Sequence, residues 1–236
     1  MSERTRVAVL ASGGGSNLQA IFEHLDALGG RRRAEVVLVL SDRTAAGALA
    51  RARGRGVEAL AVRGPEDGAA LLEQLRARGV ELVVLAGYLK LVPAVVTRAF
   101  RGRVLNVHPS LLPAFGGPGM YGARVHRAVL DAGVRVTGPT VHFVDEAYDR
   151  GAIIAQWPVP VFEEDDAATL AERVLRVEHL LLPRVVNAVA AGAVALDDDG
   201  RVRGAFLVGA QGSEFALPRH DNSFSLAEEI DAALTP

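Results

Sequence analysis

One feature constrains this chain more than any other: short apolar runs alternate with longer amphipathic stretches. RVAVLAS (6–12), EVVLVLS (35–41), VEALAV (57–62), ELVVLAG (81–87) and RVLNVH (103–108) are the runs. Most of their positions are apolar without alternation, as expected of parallel strands buried on both faces. Between the first two lies NLQAIFEHL, with Leu18, Ile21, Phe22 and Leu25 spaced i, i+3, i+4, i+7, one apolar face of a helix. AAGALARARG (45–54) ends on a glycine, and PEDGAALLEQLRARG (65–79) carries proline near its start, both helix punctuation. A short helix is expected near 93–100. Strand and helix in alternation predict an α/β fold with three layers, a Rossmann-like open sheet that is mostly parallel.

After residue 110 the rhythm changes. A Gly/Pro-rich loop spans 111–122, and a loop of that length is more often functional than not. A helix follows near 125–132, then TVHFVD and AIIAQWPVPV as paired strands, which places an antiparallel part near the C-terminal half. Residues 166–192 read as helix, with Leu170, Val174, Val177 and Leu181 in one stripe; Pro183 is expected to kink or divide it. DDDGR suggests a turn, and Ser225 with Glu228 fits a capping box for a last helix. The division expected is a domain over 1–195 and an extension over 196–236, a turn plus a short helix either packed on the domain or partly mobile.

The bulk properties narrow the function. The 236 residues suffice for one large α/β domain or two small ones, and half of them are apolar. A net charge of −2 argues against a nucleic-acid binder. The chain has no cysteine, which removes disulfides, thiolate metal ligands and a cysteine nucleophile together. No window reaches the ~18 apolar residues of a membrane span, and the apolar start is too short for a signal peptide. The expectation is a cytoplasmic protein with small-molecule partners, no nucleic acid and no membrane. Lys90 is the single lysine among 26 basic residues, in keeping with base composition.

SGGGSN (12–17) lies between the first strand and the first helix. Glycines let backbone approach a ligand, and a helix N-terminus offers free N–H groups to an anion. A phosphate fits. A dinucleotide fingerprint competes: Gly13 and Gly15 match it, Leu18 occupies its third glycine position, and Asp42 stands where a ribose acid would. A Walker loop lacks its lysine here. The bland alternative is a turn that only lets helix and strand pack.

NVHPS (106–110) ends the fifth run. Asn106 and His108, two apart on a strand, share a face. They emerge at the carboxyl end of a central strand, where open α/β sheets bind ligands, and Pro109 stops the ladder there. An amide N–H and a protonated imidazole suit the oxyanion of an acyl transfer. A histidine in that role wants a carboxylate beside it; Asp145, Glu146 and Asp149 in DEAYDRG all qualify. No G-x-S-x-G elbow activates Ser110, and the histidines at 24, 108, 126, 142, 179 and 220 form no H-E-x-x-H pair. The chemistry expected is acyl transfer without metal and without a covalent enzyme intermediate. His142 reads as a core residue, His24 and His220 as surface residues.

ASGGGSNLQA, AGYLKLV, LNVHPSLLPAF, TVHFVDEAYDRGAIIAQ and RVEH, in this order, closely resemble the phosphoribosylglycinamide formyltransferase family of folate-dependent formyltransferases over about residues 6–192. The resemblance implies the formyltransferase fold and transfer of a formyl group from 10-formyltetrahydrofolate, a co-substrate, to the amine of glycinamide ribonucleotide in purine synthesis. It implies Asn106, His108 and Asp149 as the catalytic set, and so selects Asp149 among the three carboxylates. Gly15, Ser16 and Asn17 match the substrate phosphate loop, and Glu178 a glutamate that contacts the ribonucleotide. The segments Leu89, Lys90, Leu91, Val92 and Asp145, Glu146, Ala147, Tyr148 match the pterin-binding backbone, with Leu85, Leu91 and Val92 as apolar walls. A cation at Lys90 would attract the folate glutamate tail. Leu175 departs from a family position that often carries lysine or glutamine, with Arg176 as the neighbouring substitute. Arg63 is the nearest basic candidate for the folate tail, and residues 120–124 lie in a longer loop than in some members. A homodimer is compatible with the resemblance.

Rival functions differ in what they need. Methionyl-tRNA formyltransferase adds a C-terminal domain and a basic surface, and formyltetrahydrofolate deformylase adds an N-terminal domain. Neither is expected here. An NAD-linked oxidoreductase conflicts with Leu18, and a silent nucleotide-binding module conflicts with the Asn106, His108 and Asp149 set.

Overall fold

The computed structural model describes residues 4–62, 64, 66–204 and 226–235. Its first half is the expected alternation: β1 (Thr5–Leu10), α1 (Ser16–Leu28), β2 (Ala34–Ser41), α2 (Gly47–Gly54), β3 (Glu58–Ala61), α3 (Gly68–Ala77), β4 (Leu82–Leu85), α4 (Ala94–Ala99) and β5 (Val104–His108). Then come α5 (Ala123–Asp131), β6 (Val136–Thr137), β7 (Thr140–Phe143), β8 (Ile153–Gln156), β9 (Val159–Pro160) and α6 (Ala167–Ala190). A hairpin of β10 (Val194–Leu196) and β11 (Val202–Gly204), and α7 (Leu226–Leu234), complete it. The main sheet has the order β3-β2-β1-β4-β5-β7-β8. β3 to β5 are parallel, and β7 runs antiparallel to both β5 and β8. The antiparallel part is therefore where the sequence placed it.

Side chains of β1 show why the sheet is covered twice. Val7 and Val9 enter one core cluster with Leu18, Ile21, Val174 and Leu181 of α1 and α6. Ala8 and Leu10 enter the other, with Leu71, Leu75 and Val96 of α3 and α4. Alternate residues of one strand thus feed opposite faces. Asp67 caps α3 by accepting from Ala69 and Ala70 N–H, and Asp166 with Thr169 forms a capping box on α6.

Two local expectations change. Pro183 does not divide α6, which runs unbroken over 24 residues. The ring removes one backbone donor, but Pro183 is buried in the packing that holds the helix. His24 is half-buried rather than a surface residue, because α6 packs against α1. Burial, and then Arg184 of α6, lower its pKa to about 4. Ser225 and His220 lie outside the described residues, and so does the capping box expected at Ser225.

Candidate active site

The chain order changes direction across the sheet between β1 and β4, so a crevice opens at their carboxyl ends. Leu85 of β4 is in register with Asn106 of β5, which brings the NVHPS strand end to that edge. His108 is buried, and its Nε2–H donates to the Phe115 carbonyl at 2.9 Å. Its Nδ1 faces Asp149 Oδ2 at 3.6 Å, within ion-pair range and beyond a direct hydrogen bond. Asp149 Oδ2 in turn accepts the Gly117 N–H at 2.9 Å. Phe115 and Asp149, with φ of 55° and 54°, are the two non-glycine residues of positive φ among those described. Backbone strain of this kind gathers at functional sites; here it aims one carbonyl and one carboxylate at a single imidazole.

The 111–122 loop is tied to the strands below it. Thr140, in register with His108, donates to the Ser110 carbonyl at 2.6 Å and accepts from Leu112 N–H at 3.0 Å. Gln156 Nε2 bonds both Thr140 Oγ1 and the Leu112 carbonyl at 2.9 Å. Gly116 leaves no room for a side chain, since a Cβ there would sit 2.4 Å from Leu112 and 3.2 Å from Asp149 Cβ.

His142 is more than a core residue. Antiparallel pairing puts it opposite Asn106. Its Nδ1–H donates to the Phe143 carbonyl at 2.8 Å, leaving Nε2 bare to accept from Asn106 Nδ2 at 3.1 Å. Burial lowers its pKa, against the Phe143 hydrogen bond and Asp149, which raise it. The ring is therefore neutral, and its 3.7 Å approach to Asp149 Oδ1 is no ion pair. His142 fixes which way the Asn106 amide points and spends one of its two hydrogens, leaving the other for a ligand.

The glycine loop stands at the other end of the crevice. Gly15 is the N-cap of α1 with φ 77°, a left-handed conformation that favours glycine. Ser16 opens the helix, and Asn17 is buried in its first turn. Asn17 Nδ2 donates to Glu178 Oε2 of α6 at 2.7 Å, while Asn17 Oδ1 is buried with no partner among the described residues. Burial pushes the Glu178 carboxyl up to about 7, opposed by the Asn17 hydrogen bond. The structure thus joins Asn17 and Glu178, which lie far apart in sequence.

The two segments matched to the pterin border the same edge. Ser12 Oγ accepts the Leu89 N–H at 3.0 Å, anchoring the chain that leaves β4. Lys90 is exposed, Leu91 is 42 % exposed, and Leu85 and Val92 are buried in the second core cluster. In the other segment Asp145 accepts from Ala147 N–H at 2.9 Å, and Glu146 pairs with Arg98 at 2.9 Å. Tyr148 is exposed. Leu91 and Tyr148 are apolar surfaces of the kind a flat heterocycle uses. Leu175 is half-buried and Arg176 exposed. Arg124 stacks on exposed Tyr121 in the 120–124 segment. Arg63 lies outside the described residues.

An open α/β sheet with a polar cluster at the carboxyl edge of its central strands defines the general class, a Rossmann-like enzyme fold with its ligands at the switch point. Within that class the chain belongs to the formyl transferase family, which matches residues 5–186. It is 45 % identical over 204 residues to the chloroplastic phosphoribosylglycinamide formyltransferase of Arabidopsis thaliana, a match covering 84 % of this chain and 69 % of that one. It is 40 % identical over 207 residues to the trifunctional purine biosynthetic protein adenosine-3 of Bos taurus, covering 85 % of this chain but 20 % of the cattle protein. Among solved structures, glycinamide ribonucleotide transformylase 1 of Symbiobacterium toebii superposes with a TM-score of 0.78 at 43 % identity, covering 86 % of this chain and 95 % of that one.

Sequence reasoning missed His142, Phe115, Gly117, Thr140 and Gln156. The TVHFV strand held a signal for His142, but using it required the register between β7 and β5. Phe115 and Gly117 act through backbone atoms and leave no side-chain signature.

Proposed function

We propose that this chain transfers the formyl group of 10-formyltetrahydrofolate to the primary amine of glycinamide ribonucleotide, in de novo purine synthesis, by direct attack and with no covalent enzyme intermediate. The observation that carries this reading is the cluster of Asn106, His108 and Asp149 at the edge of a formyl transferase fold. The folate supplies an activated formyl group. As the amine attacks its carbon, charge develops on the formyl oxygen. The free hydrogen of the Asn106 amide is one donor for that oxygen, and His108 acts through Nδ1, the ring nitrogen not committed to Phe115. Asp149, held by Gly117, stands beside His108 Nδ1 and receives the proton that leaves the amine, through water. The departing folate nitrogen is the proton's final acceptor.

Gly15, Ser16 and Asn17 take the phosphate at the positive end of α1, and Glu178 meets the ribose. Leu85, Leu89, Lys90, Leu91 and Val92 line one side of the folate site, and Asp145, Glu146, Ala147 and Tyr148 the other. Their backbones hydrogen-bond the pterin, and Lys90 draws the glutamate tail. Residues 1–195 form the formyltransferase domain and 196–236 an extension, of which α7 packs on α6. Ile230 of the extension is fully buried in the first core cluster, and Glu229 pairs with Arg184. No described helix is long and apolar enough to cross a membrane; the location proposed is the cytoplasm, and the assembly to test is a homodimer.

A coupled assay following folate absorbance, with and without glycinamide ribonucleotide, tests the reading. Turnover that needs both substrates is the expected result. Folate consumption without the ribonucleotide would mean hydrolytic deformylation, and no turnover from folded protein would overturn the assigned acceptor.

A further inference from the structure

The glycine loop is held from behind by α2, a helix that the substrate assignment above leaves unused. Ala48 N–H donates to the Gly13 carbonyl at 3.1 Å, and Arg51 Nε donates to the Gly14 carbonyl at 2.8 Å. The approach is close. A Cβ on Gly15 would lie 2.7 Å from Ala48 Cα, and one on Gly47 would lie 3.1 Å from Gly14 O. In a planar trans peptide, the C=O and the next N–H point in opposite directions. With the Gly13 and Gly14 carbonyls turned to α2, the Gly14 and Gly15 N–H groups face the other way. On that side the loop is open: a Cβ on Gly13 or Gly14 would meet nothing within 4 Å. The Gly14, Gly15, Ser16 and Asn17 N–H groups have no acceptor among the described residues. Consecutive unpaired N–H groups of this kind form an anion-binding concavity.

Arg51 is exposed, and its Nη groups have no partner among the described residues. A guanidinium keeps its charge and presents a rigid fork of donors suited to phosphate. Among the described residues, the only other charged residue bonded to this turn is Glu178, through Asn17, and burial pushes that carboxyl up to about 7, which weakens the negative charge it would set against an anion.

On the reading of this loop as the substrate's phosphate site, we propose that Arg51 is a further specificity residue: it fixes the Gly14 peptide so that the loop amides face the phosphate, and its charge, held behind the loop, adds to the positive potential at those amides. Arg51 thereby favours the phosphorylated substrate over its dephosphorylated form. It is a binding and positioning residue, remote from the formyl-transfer cluster.

The test compares glycinamide ribonucleotide with glycinamide riboside as substrates of wild type, Arg51→Ala and Arg51→Lys, with folding checked by circular dichroism. The ratio of kcat/KM for ribonucleotide over riboside should fall about 10- to 100-fold in Arg51→Ala, the span of one hydrogen bond to a charged group. Arg51→Lys should recover part of it by charge alone, and the KM for folate should not move. Ribose 5-phosphate binding, read by calorimetry, gives the same comparison without turnover. A ratio within twofold of wild type, with ribose 5-phosphate bound as tightly, would overturn the role of Arg51. Equal losses on both substrates would do the same, since they would mean general damage. A wild type that does not distinguish ribonucleotide from riboside and does not bind ribose 5-phosphate would instead overturn the phosphate reading of the loop itself, and Arg51's role with it.

Discussion

His108 is addressed at both ring nitrogens, by the Phe115 carbonyl on one side and the Asp149 carboxylate on the other. Both contacts come from residues that share no strand with it. Replacing His108 by Ala, or Asp149 by Asn, should lower kcat at least ~10²-fold with the far-ultraviolet circular dichroism unchanged; near-normal turnover in either variant would refute the assigned roles. His142 acts one step further out. Without it Asn106 Nδ2 loses its acceptor and the amide its orientation, so His142→Ala should cost about tenfold in kcat, the worth of one oriented hydrogen bond. An unchanged kcat would return His142 to a purely structural place. Asn106 and His108 were legible in the sequence because a strand repeats every second residue. His142 was not, because its partner is chosen by the pairing of two strands and by no local pattern.

At the scale of elements, the long loop and the long helix show how far local pattern reaches. The loop after Ser110 was visible as glycine and proline, but its ties to Thr140 and Gln156 depend on β7 and β8 lying beside β5. Helix α6 was visible from its apolar stripe, and Pro183 was a misleading sign, because tertiary packing outweighs one missing backbone bond. The start of α6 is pinned by Arg173, which makes two short hydrogen bonds to Asp165, at 2.6 and 2.7 Å, bonds the Pro160 carbonyl at 3.0 Å, and lies over the Phe162 ring. The Asp165 side chain is 1 % exposed. Arg173→Met should leave that carboxylate without its cation, held by the Phe162 N–H and the Thr169 hydroxyl alone, costing on the order of 3 kcal/mol and lowering Tm by roughly 10 °C. Adding Asp165→Leu should restore most of the loss. A single variant that melts with the wild type would show the pair to be dispensable.

The whole molecule carries a pH dependence that no single element has. Burial lowers the pKa of His24 and of His126 to about 4, and lowers those of His142 and His179 as well. Arg184 adds to the effect at His24, and His108 to that at His126. Below the ordinary histidine value of 6.5, the unfolded chain takes up protons that the native state refuses, so stability falls as pH drops from 6.5 toward 4. Glu178 works the other way. Its native carboxyl titrates at about 7 and its ordinary value is 4.5, so its contribution weakens as pH rises across that window. Four groups oppose one, and Tm should fall between pH 7 and pH 5. Glu178→Gln removes the opposing group and should make that fall steeper, with a relative gain at pH 8; a shallower fall in the variant would refute the assignment. Differential scanning calorimetry at three pH values reads all of this.

The sequence by itself determined the layered α/β architecture, the edge at which the site would lie, and the Asn106 and His108 pair. Those follow from periodicities of two and 3.6 residues and from residues that end strands, all of them local. Only the tertiary structure decided that Asp149 closes on His108, that His142 turns the Asn106 amide, that Glu178 meets Asn17, and that Arg51 holds the glycine loop. Each of these joins elements distant in sequence through a register, a crossing or a loop path. Those are properties of the packed sheet and its helices, and no stretch of the chain contains them alone.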